Sequence, residues 1–290
     1  MSFGPTGYHD ETVFSLLSYY RLHTADENHV AIYTDTPSFY NGKIPGQVEI
    51  ILVSESKMSE WKGENGYSYR VKVKVLQDAA RRFKGNVLYV DTDTVFQKKV
   101  TPLYNYLSEG AFVMDASEGA LRDNNGGIAR KMKRLLKKQH IFKHDRLPAE
   151  VELSEEFVVW NSGTVGFNTQ TAGNLFCYAE NLIDTLYMAY PLYTMEQIAI
   201  TYYLSEHPLK ESKNYIHHYW YFKEFRFLLS QFFDYHKHCT FDELVGLPVL
   251  PDPWQASAAK RQYKKMSFWQ KQWQKLRHGV KWKIPWYNPN

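Results

Sequence analysis

Residues 86–96, Asn-Val-Leu-Tyr-Val-Asp-Thr-Asp-Thr-Val-Phe, run four apolar positions (Val87 to Val90) straight into two carboxylates one residue apart, Asp91 and Asp93. Apolar residues return at Val95 and Phe96. A strand cannot carry unpaired acids through a core, because each buried charge costs several kcal/mol. The acids must stand where a buried strand ends. The chain therefore needs a sheet whose strand ends open onto something that accepts negative charge.

The same ending recurs. His29-Val-Ala-Ile-Tyr-Thr-Asp35 and Ala111-Phe-Val-Met-Asp-Ala-Ser117 are short apolar runs that finish on Asp35 and Asp115, and residues 47–54 form another run of this kind. Between the runs lie stretches with apolar residues at helical spacing, over 11–23 and 100–107. Residues 69–83 alternate strictly from 71 to 75 and then settle into helical spacing at Val73, Leu76, Ala80 and Phe83, so a helix is expected there. Strands alternating with helices predict a mostly parallel, doubly wound α/β sheet, and such sheets bind ligands beyond the carboxyl ends of their strands. Residues 1–8 are too short and polar for a complete first strand.

A basic, helical-looking insertion follows over about 120–145, and regular structure resumes at 155–168, where an apolar strand meets Asn161, Ser162 and Gly163, turns and returns. Helices are expected over 173–189 and 194–206, the second with Glu196 and Gln197 in its first turn. Residues 214–229 carry His217 and His218 near the end of a strand. With 290 residues, 44% of them hydrophobic, the chain can bury one large domain, and we expect a catalytic domain over 1–245 with a basic insertion at about 118–150 and a tail over 246–290. Two cysteines exclude a disulfide framework. The first 30 residues lack a basic segment followed by an apolar one, and no run approaches the ~18 apolar residues of a membrane span. The expectation is a cytoplasmic protein. Its net charge of +4 is unevenly placed, with much of the positive charge in 130–146 and 260–283, so anionic partners are implied.

Two carboxylates one residue apart can hold Mn²⁺ or Mg²⁺ and leave coordination positions for a diphosphate, whose departure the metal assists as a Lewis acid. The tripeptide alone is common in solvated turns. Its place after a buried strand makes it specific.

In order, Gly85–Leu107, Val158–Gln170, Met195–Leu204 and Ile216–Phe225 resemble the nucleotide-sugar glycosyltransferases of the A-type fold, nearest to the glycogenin and bacterial lipopolysaccharide galactosyltransferase group. The resemblance spans roughly residues 6–230. It implies a Rossmann-like α/β fold with a mixed, mostly parallel central sheet flanked by helices, a UDP-sugar donor, a divalent metal (Mn²⁺ or Mg²⁺) and transfer to an acceptor hydroxyl. By position, Asp91 and Asp93 match the metal pair, Asp91 and Thr92 face the donor, and His217 or His218 matches a third ligand, with Lys223 following a few residues on. Asn161, Ser162 and Gly163 match the turn lining the donor sugar. Glu196 stands where the group often carries Asp before Gln, here Gln197, which makes Glu196 and Asn161 the candidate catalytic residues. Thr6, Gly7 and Tyr8 match the loop that holds uracil, Asp35 and Asp115 are further donor-side acids, and Arg70, Lys72 and Lys74 compete to supply a cation.

Each of these residues has a plainer role open to it. The histidines can be core residues, and neighbours on a strand point to opposite faces, so at most one binds metal. Asn-Ser-Gly can be only a turn. Glu196 can be only a helix-start acid, and Lys223 only a solvated charge. An alternative function is an anionic-surface or nucleic-acid binding protein without catalysis, but acids at the strand ends would repel a phosphate backbone. A nucleotidyltransferase would be expected to open with a glycine-rich phosphate loop. We therefore expect a glycosyltransferase with a glycan or glycolipid acceptor and no nucleic-acid partner. The tail sets Phe268, Trp269, Trp273 and Leu276 on one helical side, with Lys271, Lys275, Arg277 and His278 around them, a pattern suited to an anionic membrane surface.

Overall fold

The computed structural model of the chain describes residues 1–283 and 285–288, with the backbone alone for His278. In chain order the elements are α1 (Thr6–Tyr20), β1 (Ala31–Thr34), a 3₁₀ turn (Pro37–Tyr40), β2 (Glu49–Leu52), α2 (Glu55–Lys62), α3 (Arg70–Arg82), β3 (Asn86–Val90), β4 (Thr94–Phe96) and α4 (Thr101–Ser108). There follow β5 (Phe112–Met114), β6 (Ser117–Ala120), α5 (Gly127–Lys138), β7 (Ile141–Phe142), β8 (Val151–Glu152), β9 (Val158–Trp160), β10 (Thr164–Asn168), α6 (Thr169–Ala172) and α7 (Leu175–Ala189). The last are α8 (Met195–Leu204), β11 (Leu209–Glu211), β12 (Ile216–His218), α9 (Phe225–Tyr235), α10 (Phe241–Val245), α11 (Pro253–Ala256), α12 (Ala258–Lys265) and α13 (Phe268–His278). No helix of the described residues is long and apolar enough to cross a membrane.

The chain divides into two compact units. One comprises Met1, Val53–Asp91 and Lys98–Ile216; the other comprises Ser2–Leu52, Thr92–Gln97 and the segment from His217 onward.

The first unit is built on a sheet ordered β11-β5-β10-β3. β11 runs parallel to β5, while β10 runs antiparallel to both β5 and β3. Three strands thus share a direction and one opposes them, which is the mixed, mostly parallel sheet expected. β10 sits between close neighbours because it carries Gly166, where a Cβ would lie 2.9 Å from the Cβ of Val113. The strict alternation at 71–75 resolves as helix. α3 buries Val71, Val73, Val75, Leu76 and Ala79, and α7 and α8 bury their own apolar faces in the same unit. The expected basic insertion contains α5, which buries Ala129, Met132, Leu135 and Leu136 and leaves its cations outside. Antiparallel β6–β9 and β7–β8 pairs flank it.

The second unit packs α1 on α9. Phe14 meets Phe225 and Phe232 edge-on at 5.5 and 6.1 Å, in a core with Leu17, Tyr219, Leu229 and Phe241. β1 and β2 form a parallel pair, and Ser2 adds one bridge to Thr34, all that stands in for a first strand. β4 pairs with β12. Two elements depart from expectation. The helix anticipated from residue 11 begins at Thr6, because Pro5 supplies an N-cap with its φ fixed at −59° and nothing after it breaks the helix. Of residues 214–229, only Ile216–His218 is strand, and the remainder turns into α9.

Candidate active site

In the first unit β3 delivers Asp91, and the Asp91 N–H donates to the Gly163 carbonyl at 2.8 Å. This bond extends the β3–β10 ladder by one step beyond the Val90–Thr164 pair. It brings Asn161-Ser162-Gly163 to the end of β3. Asn161 Oδ1 closes the turn by accepting the Gly163 N–H at 2.9 Å, and its Nδ2 donates to Glu118 at 3.0 Å.

Lys72 is the cation turned toward this strand end. Only 4% exposed, it donates to Asp91 Oδ2 at 2.9 Å and to the Ser162 carbonyl and Oγ at 3.0 and 3.2 Å. Its Nζ also lies 3.7 Å from Glu196 Oε1. Arg70 and Lys74 do not join it. Both are held by α7, Arg70 by Glu180 and by Asp184 (2.8 Å), Lys74 by Glu180 (3.0 Å). Glu196 is buried in the first turn of α8, accepts from Ser162 Oγ at 3.3 Å, and donates its N–H to Tyr67 Oη at 3.2 Å. Burial pushes its carboxyl above the ordinary range; Lys72 opposes that rise and Asp91 adds to it. The expected catalytic residues thus have separate settings, Glu196 in the Lys72–Ser162 cluster and Asn161 in the turn. Gln197 is half-buried beside Glu196. Asp115 is buried and joined through its backbone to Asn161 and Ser212.

In the second unit Asp93 is 5% exposed, and its carbonyl accepts the Tyr219 N–H at 2.9 Å. His218 Nε2 lies 3.2 Å from Asp93 Oδ1, and Lys223 Nζ donates to Asp93 Oδ2. Burial alone would raise the Asp93 carboxyl. The hydrogen bond and charge of His218, joined by Lys223, outweigh it and hold the group below the ordinary carboxylate range. The alternation of β12 sends His217 elsewhere, to Tyr221 Oη (3.1 Å) and against Trp254. Of the two histidines, His218 is the one placed beside Asp93. Asp93 and His218 offer a hard carboxylate oxygen and an imidazole nitrogen, donor types that fit Mn²⁺ or Mg²⁺, and Asp91, two residues earlier in the chain, carries a second carboxylate.

Thr6, Gly7 and Tyr8, expected in a loop, form the first turn of α1 instead. Asp35 accepts the Gly4 N–H at 2.8 Å and lies 3.7 Å from His9. Sequence reasoning missed a buried pair here. Glu11 has a fully buried side chain, its Oε2 3.0 Å from Arg226 Nε, and Thr92 Oγ1 donates to it at 3.3 Å. Burial pushes the Glu11 carboxyl up to about 7, Asp93 adds to the shift, and Arg226 opposes it. The Arg226 guanidinium lies 3.9 Å over the Tyr8 ring. Its stem passes so close to α1 that a Cβ on Gly7 would sit 3.2 Å from Arg226 Cδ, which gives Gly7 a packing role. The one available signal is an acid among apolar positions near the start of α1.

No protein-family model matches the chain, and no curated protein matches it in sequence. Among solved structures it is similar to the galactosyltransferase LgtC in complex with donor and acceptor sugar analogues, at 12% identity and a TM-score of 0.52, over 87% of this chain and 97% of that one. It is also similar to mouse xyloside xylosyltransferase 1 in its apo form, at 11% identity and a TM-score of 0.45, over 73% of this chain and 82% of that one. The resemblance to LgtC, which runs nearly the whole length of both chains, establishes that this chain has the A-type glycosyltransferase fold.

Proposed function

We propose that the chain is a metal-dependent glycosyltransferase that moves a sugar from a nucleotide-sugar donor, a UDP-sugar, to a hydroxyl of a glycan or glycolipid acceptor. The observation that carries this is the buried Asp93, kept ionised by His218 and Lys223 two residues after Asp91. A buried acid maintained in its charged form is poised for a cation rather than for proton transfer. A bound Mn²⁺ or Mg²⁺ would supply Lewis acidity toward the departing diphosphate. Lys223, whose side chain is 52% exposed, keeps N–H donors for a phosphate oxygen. Lys72 fixes Asp91 and the Ser162 turn in one orientation, and Glu196 is in turn held by Ser162 beside the same lysine. The test is a screen of UDP-sugars for hydrolysis with and without Mn²⁺. Metal-dependent release of UDP from one donor is expected, and no release from any donor would overturn the proposal.

The tail would bring this enzyme to its acceptor as a peripheral protein on the inner face of the cytoplasmic membrane, with the domain ending near residue 245. Phe268, Trp269, Trp273 and Leu276 are 65%, 79%, 62% and 85% exposed on α13. The elements around α13 are tied down. Lys260 pairs with Glu224 at 2.7 Å, Trp282 packs on Tyr263, and Tyr287 Oη bonds to His236 at 2.7 Å. The His278 side chain lies outside the described residues. Exposed tryptophans and lysines on one helix suit a headgroup boundary. Truncation at Lys260 would break the Glu224 pair and remove Tyr287, so the cleaner variant is Trp269→Ala/Trp273→Ala in the full chain. It should sediment less with anionic vesicles and melt like wild type. Undiminished sedimentation would remove the tail's role.

A further inference from the structure

Several cations of the first unit are partnered by acids. Arg70 and Lys74 are held by Glu180, Arg82 pairs with Asp78 at 3.3 Å, Arg122 with Glu156, and Lys143 with Glu150. α5 gathers cations without acids. Gly127–Lys138 contains Arg130, Lys131, Lys133, Arg134, Lys137 and Lys138 and no acid. Lys133 donates to the Arg122 carbonyl at 3.1 Å. The other five are exposed, and none makes an ion pair among the described residues.

At about 100° per residue those five fall within a sector of roughly 120°, and the buried Ala129, Met132, Leu135 and Leu136 occupy the opposite side. The pairs Arg130/Arg134 and Arg134/Lys138 stand four apart, where like charges repel, and Arg130 and Lys131 lie near the helix's positive end, where cations are unfavourable. A face that needed only solubility would interleave acids, as Arg82 with Asp78 and Arg122 with Glu156 do. Repulsion kept along one face points to an anion supplied from outside.

We propose that α5 is a docking surface for the anionic phospholipid headgroups of a membrane, separate from the donor and metal residues. The five charges spread over about 12 Å of helix and point outward in a row instead of converging. That geometry matches an array of phosphates on a surface better than a single phosphate ion. The helix exposes no aromatic ring for base stacking, which a single-stranded nucleic acid would use. With its apolar side buried against its own unit, α5 lies on headgroups by charge alone and does not insert.

The test is co-sedimentation of the full chain with phosphatidylglycerol–phosphatidylcholine vesicles and with phosphatidylcholine vesicles, at low and high salt. Wild type should sediment with the anionic vesicles and lose most of that recovery at high salt, where screening shortens to a few ångströms. Lys131→Gln/Arg134→Gln/Lys138→Gln should lower partitioning by about a hundredfold, at roughly fivefold per cation. Its melting temperature should match or exceed that of wild type, because repulsion is relieved. Lys131→Arg/Lys137→Arg/Lys138→Arg, which keeps the charge, should bind like wild type. Equal recovery of the neutralised variant, equal recovery on neutral vesicles, or loss in the charge-keeping variant would overturn the proposal. So would tight binding of a single-stranded oligonucleotide with no vesicle recovery. UDP-sugar hydrolysis followed on the same preparations should be equal in all variants, so failure of the donor reading registers separately from failure at the membrane.

Discussion

Lys72 and Glu196 share one buried setting in which each charge depends on the other. The lysine is 4% exposed and the glutamate 3%, so neither has water to fall back on. Ser162 and Asp91 complete the group. Glu196→Gln keeps the shape and removes the charge. If the carboxylate acts on the transferring sugar, turnover should fall by orders of magnitude while donor binding changes little. If Glu196 only starts α8, the melting temperature should fall by a few degrees and turnover should hold. Kinetics and a melting curve on one preparation separate these outcomes. Glu11 gives a second prediction. Its ordinary value is 4.5 and its folded value about 7. A carboxyl raised by folding favours the protonated native state, so its cost to stability is absent below pH 4.5, grows as pH rises and is complete above pH 7. That cost is about 3 kcal/mol at full size. In metal-free protein, the stability difference between Glu11→Gln and wild type should therefore shift in the variant's favour across this window, as read by urea denaturation at several pH values. Parallel curves would contradict it.

Elements explain why some side chains were legible and others not. Asp91 and Asp93 could be read because a buried run cannot continue through acids, and β3 does end at Val90. Asn161 and Gly163 could be read from turn chemistry. The choice among Arg70, Lys72 and Lys74 could not. Residues 70 and 74 share one side of α3 and 72 lies opposite, but only α7, with Glu180 and Asp184 a hundred residues on, decides which side faces the strand end. The start of α1 was hidden because Thr6-Gly7-Tyr8 has no apolar periodicity, and the Glu11–Arg226 pair joins residues 215 apart in sequence. Gly166 was passed over too, since a glycine inside a strand shows its purpose only when its neighbours are known. In β10 an added methyl would meet Val113 at 2.9 Å, Leu88 at 3.1 Å and Leu107 at 3.2 Å. Gly166→Ala should cost about 1–3 kcal/mol through overpacking, measured by urea denaturation. A variant as stable as wild type would mean that the sheet yields easily.

At the scale of the whole molecule, the fold class was legible because alternating strands and helices leave few layer arrangements open. The division into two units was not, since its boundary falls between Asp91 and Thr92, inside a tripeptide that reads as continuous. Each unit supplies its own chemistry. The first holds Asp91 with Lys72, Ser162 and Glu196; the second holds Asp93 with His218 and Lys223. The central claim is that these acids exist to hold a divalent cation for a nucleoside diphosphate. Calorimetric titration of UDP into wild type and Asp93→Ala, with and without Mn²⁺, tests it most directly. Wild type should bind UDP tightly only with Mn²⁺, and Asp93→Ala should lose that binding while melting as a folded protein. Equal Mn²⁺-dependent binding of UDP by the folded Asp93→Ala variant would contradict the claim.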